Sequence, residues 1–147
     1  MRRRSRGAVT FSSVFRRKQL PPHLNDRFAA FAAQAGRLED ARQALLGCLP
    51  VGRVDPVPIP VGLDLLRDEL IAVRDDLQRW RTPEVEASWQ ACAAAITEAL
   101  AHVEPTRRTA QETDELEVLL DAVTDVVEPL DVWQDAEHAW RALRTRR

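Results

Sequence analysis

The side chains of this chain that can do chemistry are few: three histidines, two cysteines, four serines and a run of carboxylates. A carboxylate-bridged metal site inside a helical bundle needs Glu-x-x-His motifs aimed inward from two helices. Glu98 and His102 stand four apart, and Asp135 and His138 three apart. On a helix the first pair falls about 200° and 240° round from the apolar position Ile96, so it faces away from a core. The second pair lies off the apolar line through Trp133. Exposed, isolated pairs make poor metal sites. No metal and no cofactor is expected.

Nucleophilic chemistry fares no better. A catalytic cysteine needs a base beside it, and the sequence places no histidine next to Cys48 or Cys92. Cys92 sits on an apolar seam, and both thiols read as small buried fillers. Ser5, Ser12, Ser13 and Ser88 form no nucleophile elbow, and five scattered glycines build no phosphate cradle or dinucleotide fingerprint. No catalytic residue is expected, and the chain does not read as an enzyme.

Charge is the informative feature. Between Ala110 and Pro129 stand seven acids and no base. Asp114, Glu117, Asp121, Asp125 and Glu128 step by three and four, which on a helix makes one acidic ridge. Such a ridge is either a solvated face or a docking surface for a basic segment. The bases gather at the ends. Arg2, Arg3, Arg4, Arg6, Arg16, Arg17 and Lys18 form a leader without acids, and Arg141, Arg144, Arg146 and Arg147 close the chain. Residues 19–140 carry ten arginines against all 23 acids, a net charge of −13. That body repels phosphates, so nucleic acid is an unfavoured partner.

These residues must be positioned by helices. Alanine, leucine, glutamate and arginine dominate, glycine is scarce, and no 20–50-residue repeat is present. Leu24, Phe28, Phe31, Ala35, Leu38, Leu45 and Leu49 recur in a heptad-like seam broken at Arg42, giving a first helix of about 39 Å that Pro50 ends. Leu63, Leu66, Leu70, Val73, Leu77 and Trp80 mark a second helix over about 63–81. Thr82-Pro83-Glu84 starts a third at once, with Thr82 placed to cap it, and Pro105 is expected to end it. A fourth begins near Thr106 or Thr109, with Thr109 and Glu112 spaced as a capping box and a stripe of Leu116, Leu120, Val123 and Val127. It is kinked or broken at Pro129 and resumes through Leu130, Trp133, Ala136, Trp140 and Leu143. Trp80, Trp89, Trp133 and Trp140 all fall on apolar stripes and read as core anchors near helix ends.

The expected fold is therefore all-α: a bundle of four main helices in one domain spanning 21–147, behind a basic, disordered leader over 1–20. A Pro-rich linker over 50–62 joins helices one and two. Its alternating prolines favour polyproline II at about 3.1 Å per residue, enough for a crossover of the bundle. No apolar run reaches the roughly 20 residues of a membrane-spanning helix. The expected function is a cytoplasmic interaction or scaffold module with a basic protein partner, and with a homodimer formed through an exposed part of the helix-one seam. Two alternatives come from other classes: nucleic-acid or anionic-membrane binding through the leader, and a small-molecule binder or enzyme with a pocket inside the bundle.

Overall fold

The structure is a computed structural model that describes residues 18–50 and 57–146. The first rod begins with a 3-10 turn, Pro22–Leu24, and continues as α1, Asn25–Leu46. The second is α2, Ile59–Asp76, tightening into a 3-10 turn at Leu77–Trp80. A further 3-10 turn, Pro83–Val85, leads into α3, Glu86–Glu112. The fourth rod is α4, Leu116–Val127, a 3-10 turn at Glu128–Asp131 and α5, Val132–Ala142. These four helices, of 25, 22, 30 and 27 residues with their 3-10 turns, form the expected bundle. The rods pack as a ring: α1 on α2, α2 on α3, α3 on α4 and α5, and the fourth rod back on α1.

Each neighbour runs antiparallel to the last. Along α1 and α2, Arg27 donates to the Arg79 carbonyl at 3.3 Å, Gln34 Nε2 to the Asp76 carbonyl at 2.9 Å, and Arg37 pairs with Glu69 at 3.4 Å. Residue numbers rise on one helix as they fall on the other. Helices one and two are thus side-by-side neighbours, with the end of α1 and the start of α2 at the same pole. The linker is shorter than expected, because α2 takes up residues 59–62. Pro60 sits in its first turn, where the N–H that proline lacks has no intrahelical acceptor to miss. Ile59 is buried while Val57 and Val61 stay exposed, and residues 51–56 lie outside the described residues.

The last part of the expected leader belongs to the fold. β1, Lys18–Gln19, pairs antiparallel with β2, Thr145–Arg146, and Leu20 is buried beside it. Arg2, Arg3, Arg4, Arg6, Arg16 and Arg17 lie outside the described residues.

The boundary between helices three and four also moves. Pro105 lies inside α3, which runs on to Glu112. A proline in a helix interior costs about 3 kcal/mol, so its neighbours must hold the turn. Val103 and Thr106 are buried, and the Thr106 hydroxyl donates to the Ala122 carbonyl at 3.0 Å. Arg107 pairs with Asp64 on α2 and with Glu104. Thr109 caps nothing: its hydroxyl donates back to the Pro105 carbonyl at 3.1 Å. The chain turns instead at Thr113, which is extended and accepts the Glu115 N–H at 3.1 Å.

The core is richest where the first and fourth rods meet the end of the second. Phe31 lies 4.9 Å from Trp80 edge-on and 5.7 Å from Trp133 in a stack, with Trp140 at 6.1 Å. All four tryptophans are buried, as core anchors should be. Trp80 donates its indole N–H to Gln34 Oε1 at 2.8 Å and Trp89 to the Leu77 carbonyl at 2.9 Å. The seam of α1 drifts from the expected one: Gln34 and Ala41 are buried, whereas Phe28 and Ala35 are only half-buried.

The entry to α3 carries a titratable latch. The Glu84 carboxylate accepts the Thr82 hydroxyl, which therefore serves Glu84 in place of the cap expected of it, and pairs with His23 Nε2 at 3.1 Å. Donation from Thr82, then from His23, lowers the Glu84 pKa to about 2. A carboxylate whose folded value is depressed stabilises the fold above its unfolded value, roughly 4.3, and loses that contribution as pH falls toward the folded one. Denaturant titrations from pH 5 to 2 should show stability falling across that window, with a shallower fall in Glu84→Gln. Identical slopes for the two proteins would refute the latch.

Candidate functional site

The acidic ridge forms on the outer face of the fourth rod. Glu117, Asp121 and Asp125 project from α4 and Glu128 from the following 3-10 turn, while Asp114 precedes the helix. All five are exposed, and none forms an ion pair with another described residue. The apolar stripe behind them is not the one expected. Leu119, Val123, Val126 and Val127 are buried, whereas Leu116 and Leu120 are 41% and 43% exposed. The helix begins beyond the place where α1 ends, so its first turn has less of the bundle to cover it.

The ridge does not stand alone. Along the seam between α3 and the fourth rod runs an open groove of about 480 Å³. Asp125, Glu128, Pro129 and Val132 line it from the fourth rod, and Glu98, His102 and three alanines, Ala91, Ala94 and Ala95, from α3. Glu98 and His102 do turn away from the core, as their helical phase requires, but toward the edge of the neighbouring rod. Sequence periodicity gives the phase of each residue on its own helix. It does not give the register between two helices, which is what brings these four side chains together. Three carboxylates beside an imidazole favour a guanidinium or ammonium group, and small lining residues let a chain approach closely. Among the described residues no group of three or more His, Cys, Asp or Glu is arranged to hold a metal ion.

A second groove, of about 380 Å³, lies between α1 and the fourth rod. Its floor is aromatic, with Phe28, Phe31 and Trp133, and its rim carries Glu39, Arg42, Asp131 and Glu137. Arg42, the break in the α1 seam, bridges the rods by pairing with Glu39 at 3.2 Å and Asp131 at 3.4 Å. Glu137 pairs with Arg141 at 3.3 Å.

Cys48 and Cys92 are both buried, and the Cys48 thiol donates to the Ala44 carbonyl at 3.3 Å. Burial, and then the nearby charge of Asp135, push the Cys92 thiol up to about 12, so it stays protonated at neutral pH. His138 and Asp135 are exposed on α5, apart from the other histidines. Among the described residues no helix is long and apolar enough to cross a membrane. Comparisons with protein-family models, with curated proteins and with solved structures found no significant match.

Proposed function

We propose that this chain is a cytoplasmic interaction module that holds a basic segment of a protein partner along the ridge and groove of α3 and the fourth rod. One observation carries the reading: Asp125 and Glu128 of the ridge line one groove together with Glu98 and His102 of α3. Like charges three and four apart on a helix are mildly unfavourable, by tenths of a kcal/mol each. An arriving arginine or lysine relieves that repulsion. The net negative body adds long-range attraction for the same partner and repels nucleic acid.

The test is a titration of the full chain with a fluorescent peptide of alternating arginine and alanine. Asp125→Lys/Glu128→Lys should weaken binding by roughly tenfold or more, with a steep salt dependence. The control, Asp68→Lys/Asp75→Lys, changes net charge equally on the exposed face of α2. Equal weakening by both pairs would mean that overall charge alone attracts the peptide, and the proposed site would then be wrong.

A further inference from the structure

The aromatic groove between α1 and the fourth rod has features that the packing of the described bundle does not explain. Gly36 lies in the middle of α1, where glycine costs about 1 kcal/mol relative to alanine. The fold does not require it: a Cβ built there meets no heavy atom within 4 Å. It borders the groove, so its missing side chain leaves room for something to approach the helix backbone. The floor is apolar and aromatic, with Phe31 and Trp133 buried beneath it and Phe28 half-buried beside them.

The occupant must supply apolar side chains for Phe31 and Trp133 and positive charge for the rim. In this chain one segment has both. Phe11, Val14 and Phe15 stand three and four apart among the seven bases of residues 1–18, and no acid accompanies them. Its attachment point fits as well. Lys18–Gln19 is held beside Thr145–Arg146, just past the end of α5, which places the last residues of the leader at the pole where α1 begins and α5 ends. Trp133 is nine residues, about 14 Å, back along the rod from Ala142. The seven residues from Phe11 to Lys18 span up to about 25 Å, and all 17 preceding Lys18 more than twice that. The three rim carboxylates are partly answered by Arg42 and Arg141, which still leaves the rim net negative.

We propose that the leader docks in this groove of its own chain, with Phe11 and Phe15 on the Phe31–Trp133 floor, its backbone over Gly36 and its arginines at Glu39 and Asp131. The leader is then a plug, and a competing partner reaches the groove by displacing it. This site is separate from the ridge groove and does not depend on it.

A photo-crosslinking side chain, p-benzoylphenylalanine, placed at position 15 of the full chain tests the contact. Illumination should give crosslinks within one chain, mapped by mass spectrometry to residues 28–42 or 130–137. Gly36→Trp fills the groove from an exposed position and should cut their yield roughly tenfold or more without lowering the melting temperature. Should that variant melt early, Ala32→Arg blocks the groove from an exposed position one turn away. Asp125→Lys/Glu128→Lys should leave the crosslinks unchanged, which separates this contact from the ridge site. Crosslinks scattered elsewhere, joining two chains, or indifferent to the blocked groove would overturn the proposal.

Discussion

Trp80→Ala should cost about 3–5 kcal/mol, the range for emptying a large aromatic site in a core. The side chain is fully buried, edge-on to Phe31 at 4.9 Å and to Trp133 at 5.6 Å. It also closes a buried polar circuit. Gln34, 1% exposed, accepts the Trp80 N–H at 2.8 Å and donates to the Asp76 carbonyl at 2.9 Å. Losing the indole opens a cavity and leaves the Gln34 carbonyl without its donor, so the two penalties fall on one site. Trp80→Phe separates them: most of the volume stays, and the orphaned acceptor alone costs about 1–3 kcal/mol. Denaturant unfolding of both variants provides the measurement. For a chain of this size the alanine variant should melt roughly 10 °C or more below the parent. A loss under about 1 kcal/mol would show that the aromatic cluster does not hold the rods together.

The same substitution at two glycines should have opposite signs. At Gly62 an added Cβ lies 2.8 Å from Cys48 Sγ and 3.1 Å from the Leu45 Cα. One neighbour is backbone in the last turn of α1 and cannot swing aside as a side chain can, so α1 and α2 must separate. Gly62→Ala is expected to destabilise the fold by about 1–3 kcal/mol, the usual cost of overpacking. Gly36→Ala meets nothing and removes only the entropic handicap of a helical glycine, so it should stabilise by about 0.5–1 kcal/mol. Thermal denaturation of the two single variants reads both signs in one experiment. A gain at Gly62 would mean that the two helices are less closely apposed there than their contacts indicate.

The four rods were legible because leucine, valine and tryptophan recur every third or fourth residue, and burial follows that rhythm in α2 and α3 with little error. Proline misled in two places for one reason. Its effect depends on whether the missing N–H had an acceptor and on what holds the turn. In sequence Pro60 alternates with Pro56 and Pro58 as linker prolines do, yet it lies in a first turn where proline does no harm. Pro105 stands where a helix stop is expected, yet Thr106 and Arg107 tie its turn to α4 and α2. Leu116 and Leu120 misled differently. They continue the helical stripe faithfully but lie where the first rod has already ended, and only tertiary packing decides that. The ridge acids are exposed as expected. Their groove required the α3–α4 register, which no single-helix pattern encodes. Gln34 was missed because a glutamine inside an apolar seam signals nothing until its partner, Trp80, is in place.

The short ladder between Lys18–Gln19 and Thr145–Arg146 has a mechanical meaning. Because the first and last rods begin and end side by side, a force applied through both ends of this region pulls neighbours apart at one pole. The load opens β1 from β2 and then peels contacts one at a time. It does not shear many of them at once. Stretched between a fixed point and a motor, the bundle would yield like a zipper, at low tension, and would take the aromatic cluster apart early because that cluster lies nearest the pull.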